Sequence, residues 1–336
     1  MRTPRTAMAA PALGLLLLLA ACGEPGSSGG ETTEPEPTSS DVGLAVCEPI
    51  ADDQLVVLAD DMLLQTVDNV IPAVNAEAAA ASPELIGILD AVSATLDTPT
   101  LIGLNKAVDV DRQTSSEVAA QFLADQGLDQ QEQVGGGTTV VVGAANFSES
   151  ATLAEIYAGA LRAAGFAATS QTIGNRETYE PALELGDLTV VPEYVGTLTE
   201  FLNKKLNGAD ATPLASPDLD ATVAELTTLG EQVGLVVGTP AAAQDQNAFA
   251  VTQAFADEHG VATLSELAAA CGGIVLGGPP ECPDRAFCQP GLEETYGLQI
   301  EEFTSLDAGG PLTKAALQQG QITLGLVFSS DAGLGG

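Results

Sequence analysis

TTVVVGAANFSESATLAEIYAGALRAAGFAATSQTI, Thr138 to Ile173, reads as strand, helix, strand. The β-branched run Thr138 to Gly143 ends in glycine. Apolar residues then recur at Leu153, Ile156, Tyr157, Ala160 and Leu161, the rhythm of a helix over Ser148 to Ala164, and Ala167 to Ile173 returns to a strand pattern. The alternation continues with a helical stretch from Thr178 to Leu185, a buried-looking run from Leu188 to Pro192, a helix starting near Gly196 and a strand at Val233 to Val237. Short apolar strands between helices argue an α/β lobe with a mainly parallel sheet. The composition turns polar at Ala243 to Asn247 before a second α/β stretch runs from Ala248 to Phe328. Two such lobes joined by extended crossings imply a cleft, with ligands held where loops and helix starts converge at the carboxyl ends of strands.

Upstream, Leu55 to Leu58 and Asn69 to Val74 are strand candidates. Three helices follow over Pro83 to Leu96, Pro99 to Ala107 and Ser115 to Ala124. Ser82 before Pro83 is placed as an N-cap, and Thr114 with Glu117 has capping-box spacing. Gly135 to Gly137 separates this block from Thr138 and reads as a joint.

The chain begins with Arg2 and Arg5, an apolar stretch from Ala7 to Ala21 containing five consecutive leucines, and the sequence Leu19-Ala20-Ala21-Cys22. Residues 1–21 read as a secretory signal, too short to stay in a bilayer as a spanning helix. Small residues before Cys22 suit cleavage there and lipidation of its thiol, which would tether the chain to the outer side of a membrane. The alternative is an ordinary signal peptide with a chance cysteine. Residues 22–41, rich in Gly, Ser, Pro, Thr and Glu, form a flexible spacer that cannot bury enough apolar surface to fold. Folding starts near Val42, and what remains is long enough for two lobes with cores of their own.

The formal net charge is -36 at pH 7. Nucleic acid is excluded as a partner because binding it needs a basic face. An acidic surface favours the approach of cationic solutes, and it equally fits an acidic proteome or a salty habitat. With Cys22 lipidated, four cysteines remain in an oxidising compartment and invite two disulfides. Cys282 and Cys288 are near neighbours and suit a small staple, leaving Cys47 with Cys271. Zinc is the competing use, disfavoured because no double CxxC is present and the single histidine, His259, belongs to a separate helical stretch.

Gly143 to Phe166, then GDLTVVPEYVGTLTEFL (Gly186 to Leu202), AQDQNAFAVT (Ala243 to Thr252), GGPPECPDRAFCQPGLEETYGL (Gly277 to Leu298) and LDAGGPLTKAALQQGQI (Leu306 to Ile322) resemble, in order, osmoprotectant-binding proteins. These are the glycine betaine, carnitine and choline receptors of ABC importers. The resemblance implies a two-lobed periplasmic-binding-protein fold of type II with a central ligand cleft. It also implies a non-enzymatic solute carrier without cofactor or metal, handing its cargo to an ABC permease.

The family's usual tail is matched by the front of this chain, through LVVLADDMLLQTVDNVIPAV, SPELIGILDAVSATL and SSEVAAQFLADQG. A circular permutation is therefore expected. Residues 42–128 supply the second crossing and closing helices, 129–137 join the old ends, 138–242 form the first lobe and 243–336 the second, with the new ends after Phe328. The alternative is an independent helical front domain.

By the same resemblance, Tyr194 and Thr197 belong to a Tyr-x-Gly-Thr ligand segment and Arg285 matches a carboxylate-binding arginine. Phe249 and Phe328 stand where cage tyrosines are common. Asn146 and Ser150 reach the cleft from a helix start, and Asn247 and Asp331 lie at crossings. Quaternary ammonium groups cannot donate hydrogen bonds and are held by aromatic faces, which such a cage supplies. On residue type alone, Tyr194 could pack between strand and helix, the two phenylalanines could be core, Arg285 could pair with Glu281 or Asp284, and Asn247 could cap a helix. A lipid-anchored hydrolase using Glu193, Glu281 and Asp284 is the alternative function. It lacks a GxSxG, an HExxH or a P-loop, and His259 has no triad partner in the sequence. A carrier of another small cationic metabolite and an adhesion lipoprotein are the other readings. The carrier is expected to act as a monomer.

Overall fold

The computed structural model describes residues 44–334. The leader, the whole of the spacer and the expected lipidation site Cys22 lie outside the described residues. Ten strands run in chain order as β1 (Leu55–Leu58), β2 (Val70–Asn75), β3 (Thr139–Ala145), β4 (Ala167–Gly174), β5 (Val190–Tyr194), β6 (Leu235–Val237), β7 (Asn247–Thr252), β8 (Ile274–Gly278), β9 (Ile300–Ser305) and β10 (Leu324–Phe328). They form two five-stranded sheets, ordered β4-β3-β5-β2-β6 in the first lobe and β1-β7-β10-β8-β9 in the second. Among the described residues the chain passes between the sheets twice, over residues 59–69 and 238–246.

Both sheets are mixed where a mainly parallel arrangement was expected. β3 runs parallel to β4 and β5, and β8 runs parallel to β9 and β10. β2 is antiparallel to β5 and β6, while β7 is antiparallel to β1 and β10. The crossings cause this. A strand entering from a crossing starts at the cleft, where the parallel strands end: Val70 opens β2 opposite Tyr194, the last residue of β5, and Asn247 opens β7 opposite Phe328, the last residue of β10.

β2 is buried at all six positions despite carrying Pro72. Pro72 stands opposite Pro192 of β5. The bonds Asn75 N–H to Thr189 O and Val195 N–H to Asn69 O put the hydrogen-bonded pairs at the alternate register positions, so neither proline has to donate between β2 and β5.

The helices are α1 (Ala76–Ala81), α2 (Glu84–Ser93), α3 (Thr98–Asp109), α4 (Ser115–Asp125), α5 (Ser148–Ala163), α6 (Arg176–Glu184), α7 (Val195–Asn207), α8 (Leu219–Gln232), α9 (Gln253–His259), α10 (Leu264–Ala270), the short α11 (Gln289–Gly291) and α12 (Pro311–Gln318). Among the described residues no single helix is long and apolar enough to cross a membrane. The Thr114–Glu117 capping box is present at α4. Ser82 is not an N-cap. An unforeseen α1, capped by the Asn75 side chain, precedes it, and the Ser82 amide donates back to Ala78 O.

The front of the chain is not a separate domain. β1 is an edge strand of the second lobe and β2 an interior strand of the first. Leu85, Leu89, Val92, Leu101 and Phe122 of α2 to α4 share one core with Leu153, Ile156, Tyr157 and Leu161 of α5. Nor does the joining segment hang free. The amides of Val134 and Gly135 donate to Ala164 O, and Gly137 N–H donates to Gly165 O. Gly135 presses so closely on the chain here that a Cβ would lie 2.4 Å from the Phe166 nitrogen.

Cys47 bonds Cys271, 224 residues away, and Cys282 bonds Cys288, 6 residues away. His259 Nδ1 is 3.7 Å from Cys47 Sγ, but that sulfur is already committed to Cys271, so the trio offers no thiolate to a metal. Because a cross-link stabilises chiefly by restricting the unfolded chain, the long loop should contribute roughly 5 kcal/mol and the short one roughly 2 kcal/mol. Replacing Cys47 and Cys271 together by alanine is expected to lower the urea midpoint more than replacing Cys282 and Cys288. Equal or reversed losses would show that loop closure does not govern what these two bonds contribute.

Candidate functional site

A cavity of about 450 Å³ opens between the lobes, at the strand ends that the crossings leave facing one another. The first lobe contributes Asn146 and Phe147 from the β3–α5 turn, Asn175 to Glu177 at the start of α6, and Tyr194 and Thr197 where β5 passes into α7. The second contributes Asn247, Phe328 and the segment after β8 that carries Glu281, Arg285 and Phe287.

Aromatic rings from both lobes meet here. The Phe147 ring centroid is 5.4 Å from that of Phe328, on the opposite lobe, and 6.3 Å from that of Tyr194. Tyr194 is held from behind. Its hydroxyl donates to Glu149 Oε1 at 2.6 Å, while Glu149 Oε2 accepts from Asn105 Nδ2 at 2.5 Å and Ser330 Oγ at 2.7 Å. Burial, then the neighbouring Glu149 charge, keeps the phenol protonated far above neutrality. Asp245 lines the cavity and accepts from Ser330 N–H at 3.1 Å. Burial, then the Glu149 charge, raises the Asp245 pKa well above the usual carboxylate range, while burial raises that of Glu149 against the hydrogen bonds it receives from Ser330, Tyr194, Asn105 and Asp245.

The Tyr-Val-Gly-Thr segment has a mechanical explanation. Asp68, on the first crossing, accepts the amides of Gly196 and Thr197 at 2.8 and 3.0 Å and so satisfies the open start of α7. The crossing lies so close that a Cβ on Gly196 would stand 2.3 Å from Val67 O. Only glycine fits. Thr197 Oγ1 accepts from Arg176 Nη2 at 2.9 Å, and Arg176 forms a buried fork on Glu193 through Nε at 2.9 Å and Nη2 at 2.7 Å. Tyr179 donates its hydroxyl to the same carboxylate at 2.7 Å, so this buried pair is fully braced.

Arg285 reaches across the cleft. Its Nη2 donates to Glu177 Oε2 at 2.9 Å and Oε1 at 3.1 Å, and its Nε donates to Oε1 at 3.2 Å. Glu281 stands 3.7 Å away and itself accepts from Asn175 Nδ2 of the first lobe at 3.4 Å. Partial burial works to raise the Glu177 pKa, but the hydrogen bonds and charge of Arg285 outweigh it and hold the carboxyl below its usual range.

Of the residues singled out in the sequence, Tyr194, Thr197, Arg285, Phe328, Asn146 and Asn247 line the cavity. Three do not. Phe249 is buried in the second lobe's core, opposite Leu58 of β1 and Leu326 of β10, and is not part of the cavity lining. Ser150 is buried with its hydroxyl accepting from Ala145 N–H at 2.9 Å, tying the end of β3 to the first turn of α5. Asp331 is ion-paired with Lys314 of α12. Sequence reasoning missed Phe147, Glu177 and Asp68. Phe147 lies within the Gly143–Phe166 motif, beside Asn146 and just before the helix, and that position was its available signal.

A family model described as the substrate binding domain of an ABC-type glycine betaine transport system matches residues 49–125 and 138–335. A glycine-betaine-binding protein of Pseudomonas aeruginosa is 35% identical over 88 residues, covering 26% of this chain. The match spans 28% of that relative's length. Among solved structures, apo YehZ from Escherichia coli is 24% identical with a TM-score of 0.36, covering 56% of this chain and 69% of that one. NikA from Brucella suis, in complex with Fe(III)-EDTA, is 15% identical with a TM-score of 0.28, covering 60% and 48%.

Burial raises the Asp68 pKa to about 7, against the pull of the Thr197 amide and the Arg176 charge. A carboxyl whose folded value lies above its unfolded value of about 4 lends full stability below that value and loses it as pH rises through the folded one. The melting temperature should therefore carry a falling component between about pH 4 and pH 7. Asp68→Asn keeps an acceptor for the two amides and should flatten that slope. An unchanged slope would mean that Asp68 is not the group titrating.

Proposed function

Because the chain belongs to the family of substrate-binding domains of ABC-type glycine betaine transport systems, we propose that it captures a compact quaternary-ammonium solute between its lobes and presents it to a membrane permease. The family is one of binding proteins, not enzymes, which disposes of the hydrolase reading. The observation that carries the proposal is the meeting of Phe147 from one lobe with Phe328 from the other, 5.4 Å apart, beside Tyr194. An onium group has no polar hydrogen to offer, and ring faces in a dry cavity are what attract it. Since a ligand shifts a conformational equilibrium only through contacts it makes better in one state, a cage built from both lobes couples capture to closure.

The location follows from the same reading. The carrier works outside the membrane as a monomer, tethered through Cys22 after removal of residues 1–21, with residues 22–41 as its leash. The rotated chain order belongs here too. What supports it is the split of the family match into residues 49–125 and 138–335, together with β1 and β2 lying in different lobes of one fold. A chain rebuilt to start at Thr138, run to Leu334 and continue through a short linker into residues 44–128 should fold with the same melting temperature within a few degrees. It should also bind the same solute. Failure of that chain to fold would overturn the permutation.

Isothermal calorimetry with choline, glycine betaine, carnitine and proline betaine tests the capture reading, with binding of at least one expected. Each cage ring contributes roughly 0.5 to 2 kcal/mol, so Tyr194→Ala and Phe147→Ala should each weaken binding about twofold to thirtyfold. Tight binding by both variants would remove the cage from the site. Binding only of a cation without an onium group would replace the proposed solute class with another small cationic metabolite.

A further inference from the structure

We propose that Glu177 determines specificity in this cavity: by occupying the Arg285 guanidinium it stands where a guest carboxylate would bind, and it selects onium solutes that carry no anionic group. This inference rests on the capture function proposed above.

The geometry gives Arg285 a carboxylate from its own chain. Nε and Nη2 both point at Glu177, the forked arrangement that guanidinium and carboxylate groups favour, with three contacts between 2.9 and 3.2 Å. The two groups come from opposite lobes, Glu177 from the first turn of α6 and Arg285 from the segment following β8. Closing the cleft thus makes this pair. A guest bearing its own carboxylate must either displace Glu177 or bind beside it, with Glu281 3.7 Å from the same guanidinium adding a second like charge.

Among the described residues, two of the other three cations at the cavity are held by acids of the protein itself. Arg176 is committed to Glu193, and Lys205 bridges Glu180 and Glu184 at 2.7 Å each. Lys204 donates to the Asp284 carbonyl at 3.5 Å. The acids are differently placed. Asp68 and Asp245 line the cavity, are about 95% buried, and form no ion pair among the described residues. Arg176 and Lys205, by contrast, are taken up by acids of the protein itself. A zwitterion brings a carboxylate that finds the Arg285 fork already filled, whereas a monocation such as choline makes no demand on it.

Glu177 has 43% of its side chain exposed, so its replacement removes the charge without opening the core. Isothermal calorimetry with choline and glycine betaine on the wild type, Glu177→Gln and the double variant Glu177→Gln/Arg285→Gln tests the idea. The wild type should bind choline more tightly. Glu177→Gln should raise the affinity for glycine betaine relative to choline about fivefold. The double variant should lose that gain, because the gain requires a liberated guanidinium. Tighter wild-type binding of glycine betaine, or a choline-to-betaine ratio unmoved by Glu177→Gln, overturns the specificity role and leaves the capture reading standing. Failure of the wild type to bind either solute overturns the specificity role, and the capture reading falls with it only if carnitine and proline betaine fail to bind as well.

Discussion

Asp68 is where the two lobes, the helix behind the cavity and the aromatic wall are joined. Its carboxyl sits on one crossing and accepts the first amides of α7 at 2.8 and 3.0 Å. Those amides would otherwise be unsatisfied donors in a dry interior, and an unpaired buried polar group costs about 1 to 3 kcal/mol. Gly196 permits the approach, since any side chain would strike the Val67 carbonyl. The consequence reaches the cavity on both sides. Tyr194 immediately precedes α7, and the Thr197 hydroxyl accepts from Arg176, so the position of one carboxyl sets the position of the ring and of the buried guanidinium fork. The hinge and the site share residues, which is how motion of one can be felt at the other.

The interior around that hinge is acidic to a degree that needs explanation. Asp68, Glu149 and Asp245 are all buried, and burial raises the pKa of each. Three full charges in that volume are costly in low dielectric, and burial biases each carboxyl towards its neutral form. Proton retention also changes their hydrogen-bonding repertoire. A neutral carboxyl can donate as well as accept. Glu193 is held differently, through the Arg176 fork and the Tyr179 hydroxyl.

Much of the architecture was legible from periodicity. Strands such as Leu55–Leu58 and helices such as Ser115–Asp125 announce themselves through apolar spacing and the Thr114–Glu117 box, because those signals repeat over several residues. Strand direction was not legible: the antiparallel run of β2 and β7 depends on where the chain re-enters a sheet, which no local pattern encodes. The site was read in part. Tyr194, Thr197, Arg285 and Phe328 were reached through motif context. Phe249 went astray because its motif position carries no information about strand order, and β7 turned out to be flanked on both sides. Phe147, Asp68 and Glu177 are single residues at loops and helix starts, and their roles exist only through partners distant in sequence.

Tyr194 illustrates how the two requirements on one residue can be separated. Its ring lines the cavity while its hydroxyl bonds Glu149, whose other oxygen is held by Asn105 from the front block and Ser330 from the last segment of the chain. Phe328 and Phe147 present rings without that second task, since a face for a cation needs no hydroxyl. Tyrosine is required at 194 for what lies behind the ring. There, a buried carboxyl with two donors still lacks a third, and the phenol completes it. The same bond fixes the ring plane, and a fixed plane costs less entropy to fill than one that must be ordered at capture. The front block of the chain therefore acts on the cavity wall from behind, through Asn105, and that contact ties residues 44–128 to the cavity as β1 and β2 tie them to the fold.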